Sequence, residues 1–129
     1  DKNLNANKQV IGSLCALGKY DEAIEYTNSH TSTKGTLKPI ESFMTQAIIY
    51  EQIGKTIEAR ELFEKVLLLK SDEPHFDHFN ALYFAYASHR LGYEDWYQNY
   101  LRIALSRGSS PNAFLDMLGL EYSGIKARW

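Results

Sequence analysis

The amino-acid sequence predicts an all-α fold built as an array of paired antiparallel helices. Three observations carry that expectation. Apolar residues recur at helical spacing almost throughout the 129 residues, with none of the sustained two-residue alternation of a half-buried strand. Gly18, Gly54 and Gly92 each close one helical pattern and precede another, at spacings of 36 and 38 residues. Longer polar breaks at 28–39, 71–74 and 108–111 alternate with these short ones. Short break then long break, repeated, describes helix pairs stacked in series, which is the plan of a solenoid.

Seven helices follow in order. The first, 4–17, ends before Gly18, and the second, 20–29, runs from Tyr20 through Ala23, Ile24 and Tyr26. The third, 39–53, carries Phe43, Ala47 and Tyr50 on one stripe. The fourth, 56–70, places Ala59, Leu62, Phe63, Val66 and Leu67 together and holds no Gly or Pro. The fifth, 74–91, opens at Pro74 behind Asp72 and Glu73, which suit the positive end of a helix dipole. The sixth spans 94–107. The seventh, 111–124, carries Leu115, Leu118, Gly119 and Tyr122. The units are thus 4–30, 39–70 and 75–107, with 111–129 a capping helix or partial repeat, all in one domain over 1–129.

Composition narrows the function. With 44% hydrophobic and 23% charged residues, the chain can bury a real core. A net charge of −2, with no basic run, argues against nucleic acid as a partner, since phosphate binding needs a basic excess. No apolar run approaches the roughly 20 residues that span a bilayer. Cys15 is the lone cysteine, so no intramolecular disulfide forms and the fold rests on packing. That favours a cytoplasmic location. The chain begins at Asp1 rather than Met, which points to a piece of a longer protein whose parent is anchored or exported in the alternative.

Phe43-x-x-Gln46-Ala47-x-x-Tyr50, then Gly54, then Ala59-x-x-x-Phe63, resembles the tetratricopeptide repeat (TPR). Large and small residues alternate there so that two helices approach closely: Ala59 lies where a neighbouring helix crosses, and Phe63 fills the space between pairs. Leu14, Gly18 and the run Lys19-Tyr20-Asp21-Glu22-Ala23-Ile24-Glu25-Tyr26 repeat the theme. In the third unit Ala81, Phe84, Ala85, Gly92, Leu101 and Ala104 fit, whereas Tyr97 stands in place of a small residue and Ser88 in place of an aromatic. The resemblance covers nearly the whole chain. It implies a right-handed α-α superhelix of about three helix pairs plus a C-terminal helix, and a concave groove that binds peptides or protein segments.

In that register the first helix of each pair turns one stripe to the groove. The first stripe holds Lys8 and Gly12, the second Glu41, Met44, Thr45 and Ile48, and the third Phe79, Tyr83, Tyr86 and Arg90. The binding candidates are Lys8, Met44, Ile48, Phe79, Tyr83, Tyr86 and Arg90. Tyr and Arg are the residue types that most often anchor protein interfaces. Some family members clamp a partner's terminal carboxylate with Lys, Asn and Arg. Lys8 matches one clamp position, but Gly12 and Thr45 stand where amides belong, so that specificity is not expected.

Other chemistry finds little support. His75-x-x-His78 has metal-ligand spacing, yet Asp72, Glu73 and Asp77 are explained by helix capping and no further ligand is adjacent. Cys15 has no neighbouring His to activate it. Glu58, Glu61, Glu94 and Asp95 read as solvated or first-turn charges. There is no phosphate-binding glycine loop, nucleophile elbow or zinc-protease motif. The expectation is therefore a scaffold or adaptor module that holds a protein or peptide, with no catalytic activity, metal or cofactor. The alternative is the peptide-sensing domain of a bacterial transcriptional regulator. A homodimer through an apolar end face of Leu115, Leu118 and Tyr122 is a further expectation.

Overall fold

The computed structural model describes residues 2–31, 37–69 and 80–129, and these are all-helical apart from turns and a single bridge between Thr31 and Leu37. The helices are α1 (Lys2–Ala16), α2 (Tyr20–Ser29), α3 (Pro39–Gln52), α4 (Thr56–Leu68), α5 (Ala81–Leu91) and α6 (Glu94–Ser106). A 3₁₀ turn at Pro111–Ala113 then leads into the four-residue α7 (Phe114–Met117). Each helix packs on the next along the chain, from α1 on α2 to α5 on α6, and α3 also meets α5.

The short turns explain the pairing. Gly54 has φ +81°, its N–H donates to the carbonyl of Glu51 (3.2 Å), and the Lys55 N–H donates to that of Tyr50 (2.8 Å). This pair of hydrogen bonds satisfies carbonyls that the ending helix leaves free, and it needs a left-handed residue at its centre. The same geometry closes α1 at Gly18 and α5 at Gly92. Turns this short return the chain antiparallel to itself.

Burial follows the helical period. On α4, Ala59, Phe63, Val66 and Leu67 are buried while Arg60, Glu61, Glu64 and Lys65 face solvent. Phe63 meets the ring of Tyr86 edge-on at 5.9 Å, bridging the second and third pairs as its position predicts. Helix α5 is buried all round from Ala81 to Ser88. A helix apolar on every side has neighbours on every side, and here α4, α6 and the chain beyond α7 supply them. Between α2 and α3, Gln46 Nε2 donates to Asn28 Oδ1 (3.0 Å) and to Ser42 Oγ (3.1 Å).

The C-terminal region departs from expectation. In place of a helix over 111–124, α7 stops at Met117. Gly119, at φ +75°, donates to the carbonyl of Asp116 and Leu120 to that of Leu115, which ends the helix as Gly54 does. From Leu120 the chain runs through turns, one of them at Gly124 (φ +85°), to Trp129. Leu118 is buried, Leu115 is half-buried and Tyr122 is 89% exposed and outside any helix, so the three share no helical face. Of the expected fifth helix only residues 80–91 are described, with α5 at Ala81–Leu91; Pro74, His75, His78 and Phe79 lie outside the described residues. Among the described residues no helix is long and apolar enough to cross a membrane.

Candidate binding groove

The first helices of the three pairs, α1, α3 and α5, contribute to one face. Helical spacing brings Lys8 and Gly12 together on α1, and Tyr83, Tyr86 and Arg90 together on α5. Helix α3 contributes Glu41 at one end and Glu51 at the other. Residues of the segment 114–129 contact all three helices.

One end of the segment is fixed at α1. Lys8 Nζ donates to the carbonyl of Met117 at 2.8 Å and forms an ion pair with Glu41 Oε2 at 2.7 Å. Beside it the backbone of Gly119 runs against Gly12. A β-carbon at Gly12 would collide with the Gly119 carbonyl oxygen, and one at Gly119 would come within 2.6 Å of Lys8 Cβ. Gly12 therefore lets the two backbones meet because it lacks a side chain.

The other end is fixed at α5. Arg90 Nε pairs with Glu51 Oε2 at 2.7 Å, and Arg90 Nη1 donates to the carbonyl of Arg128 at 3.3 Å. The Arg128 N–H donates to Tyr86 Oη at 2.9 Å, and Arg128 Nη2 donates to the Glu51 carbonyl at 3.3 Å. Lys8 and Arg90 thus play matching parts. Each is held by a glutamate of α3 and each donates to a main-chain carbonyl of the segment. A cation positioned by a carboxylate keeps little rotamer freedom to lose when it makes a further bond.

Aromatic rings occupy the space between these ends. Tyr86 stacks on Phe114 (4.3 Å between centroids, 27° between planes) and takes Trp129 edge-on at 4.9 Å. Phe114 also meets Tyr83 and Trp129 edge-on. Tyr97 lies near-parallel to Trp129 at 6.4 Å and beside His89 at 4.6 Å. Tyr97 thus adds its ring to this cluster. Stacked and edge-on pairs are the favoured arrangements of ring quadrupoles. Burial raises the phenol pKa of Tyr83, with the Glu41 charge adding to the effect. It also raises that of Tyr86, against the opposing hydrogen bond from Arg128. Both rings stay neutral at physiological pH.

Of the sequence candidates, Lys8, Tyr83, Tyr86 and Arg90 touch the segment directly. Met44 and Ile48 are buried in the core cluster, and Phe79 lies outside the described residues. Sequence reasoning missed Glu51, Phe114, Arg128 and Trp129. Gly124 was the available signal: with Gly119 it punctuates the chain too closely for the helix expected there.

Elsewhere the chemistry is sparse. Cys15 is buried, which pushes its thiol up to about 11 and disfavours the reactive thiolate. Among the described residues no group of three or more His, Cys, Asp or Glu is placed to hold a metal ion. On the outer surface Tyr93 and Trp96 are exposed, and Tyr93 Oη donates to Glu64 Oε1 at 2.6 Å.

Comparison with known proteins returns no match among family models, curated proteins or solved structures.

Proposed function

We propose that this chain is a protein- or peptide-binding scaffold module of tetratricopeptide-like design. Its helix pairs wind into a right-handed superhelix, and its groove across α1, α3 and α5 grips main chain. The observation that carries the reading is the pair of matched anchors. Lys8–Glu41 and Arg90–Glu51 each hold a cation against a backbone carbonyl of the segment in the groove. Main-chain contacts supply affinity that tolerates many sequences, and the aromatic nest around Tyr86 supplies selectivity. The arrangement needs no catalytic group, and the module acts by holding a partner.

Affinity capture from the source cells, comparing wild type with a Lys8→Ala, Arg90→Ala double variant, tests this. Both side chains are partly solvent-accessible, at 16% and 27%, and the comparison is made once circular dichroism shows the double variant as helical as wild type. A partner recovered by wild type and lost by the folded double variant supports the groove. Equal recovery by both proteins would move binding to another surface and defeat the proposal.

A further inference from the structure

The turn between α5 and α6 carries different side chains from the two equivalent turns before it. Gly18, Gly54 and Gly92 all have a left-handed φ. The residues after them share one backbone conformation: Lys19 (φ −89°, ψ 64°), Lys55 (φ −89°, ψ 75°) and Tyr93 (φ −87°, ψ 77°). At the first and fourth places beyond the glycine, the first two turns expose a Lys and a Glu: Lys19 and Glu22, then Lys55 and Glu58. The third exposes Tyr93 and Trp96 there, at 38% and 44%. The same backbone is built twice with charged side chains, so the turn itself does not call for rings. Neither ring is among those packed on the core.

Three carboxylates stand beside the two rings. Glu64, Tyr93, Glu94, Asp95 and Trp96 line an open cleft of about 400 Å³ between α4 and the start of α6. The rings meet edge to face, 5.4 Å between centroids and 79° between planes, and so form a corner. Tyr93 Oη donates to Glu64 Oε1 at 2.6 Å, which ties that corner to α4. Glu94 Oε1 accepts from Gln98 Nε2 at 2.9 Å. Among the described residues none of the three acids has a cation at ion-pair distance. Arg60 is near enough for its charge to act on Tyr93, yet it pairs with none of them. The α6 dipole accounts for Glu94 and Asp95 alone; it accounts for neither ring, nor for Glu64 on another helix.

An unpaired negative rim around exposed rings is complementary to a cation with a flat, weakly hydrated face. A guanidinium stacks on an indole or phenol ring and donates its N–H groups to carboxylates at the rim. An ammonium is more strongly hydrated and gives up more to lie on a ring. We propose that this cleft docks an arginine side chain of a partner protein, on a surface separate from the groove. The carboxylates select the charge, and the ring corner selects the planar group.

The test is an NMR titration of the isotope-labelled chain with a capped peptide Gly-Ser-Arg-Ser-Gly. The Trp96 indole N–H and the amides of residues 93–96 shift saturably, while the Trp129 indole stays in place as an internal reference. Replacing the arginine with its neutral isostere citrulline abolishes the shifts, and a lysine peptide binds at least about threefold more weakly. Trp96→Glu installs the residue type that the other two turns carry, removing a ring and adding a charge. Binding at least about threefold weaker is expected of it. Equal or tighter binding would mean that charge alone attracts the peptide, and overturns the proposal. Absent shifts at Trp96, or a citrulline or lysine peptide that binds equally, overturn it too. Should Trp96→Glu not fold, wild type decides: nuclear Overhauser effects from the arginine methylenes to the Tyr93 or Trp96 ring support the proposal, and their absence in the saturated complex overturns it. The Lys8→Ala, Arg90→Ala double variant binds this peptide as wild type does, so the groove reading and this one fail separately. Loss of binding there would move the peptide to the groove and overturn the separate site.

Discussion

The carbonyl oxygen of Gly119 occupies the space where a β-carbon of residue 12 would stand, so α1 and the segment following α7 touch through bare backbone. Gly12→Ala must push the segment away from the groove. Overpacking of this kind costs about 1–3 kcal/mol, read as a lower urea midpoint. The accompanying sign is faster hydrogen exchange at Leu120, whose N–H is bonded only at the end of α7. Unchanged stability in Gly12→Ala would show that the two backbones are not in contact.

Lys8 and Glu41 are coupled through a partly buried ion pair, with side-chain exposures of 16% and 11%. Removing either partner alone strands the other, whereas removing both costs less than the two single changes added together. A double-mutant cycle of Lys8→Met and Glu41→Gln is expected to give a coupling of about 0.5–3 kcal/mol. Zero coupling would mean that Lys8 is positioned by the Met117 carbonyl alone.

Tyr86 accepts the Arg128 N–H through its hydroxyl, and its ring contacts survive conversion to phenylalanine. Tyr86→Phe therefore lowers stability by about 0.5–1.5 kcal/mol, the ordinary worth of one hydrogen bond. It also speeds exchange of the Arg128 amide while leaving helix content unchanged. A loss of helicity would assign Tyr86 a larger role in the core than in holding the segment.

Stability should fall in alkali. Burial raises the pKa of Tyr83 and Tyr86 above the ordinary 10.0, and it raises Cys15 from 9.0 to about 11. The folded chain thus keeps protons that the unfolded chain releases. The stabilisation is complete below the unfolded values and is lost as pH rises past them. The melting temperature is expected to hold from neutral pH to about 9, where the Cys15 contribution begins to fade, and to drop more steeply above 10, where the tyrosines join it. Tyr83→Phe and Cys15→Ala each flatten that decline. A melting temperature that rises above pH 10 would contradict the assignment.

The helices were legible in the sequence because local signals specify them. Gly18, Gly54 and Gly92 mark helix ends through backbone geometry alone, and the Ala59 and Phe63 positions encode close approach and filling. The α5 stripe was legible too, since Tyr83, Tyr86 and Arg90 share a face by period. What covers that stripe was not. Lys8 meets Met117 across 109 positions and Tyr86 meets Arg128 across 42, and no periodic pattern records contacts of that range. The sequence reading places Gly119 inside a helix over 111–124; its left-handed φ ends α7 there instead.

The most direct test of a groove filled by the chain itself is the set of nuclear Overhauser effects from the Trp129 indole in the isotope-labelled wild-type protein. The arrangement described predicts cross-peaks to the rings of Tyr86 and Phe114, which lie 4.9 and 5.3 Å away between centroids. A Trp129 indole with random-coil shifts and no cross-peak to either ring would contradict it.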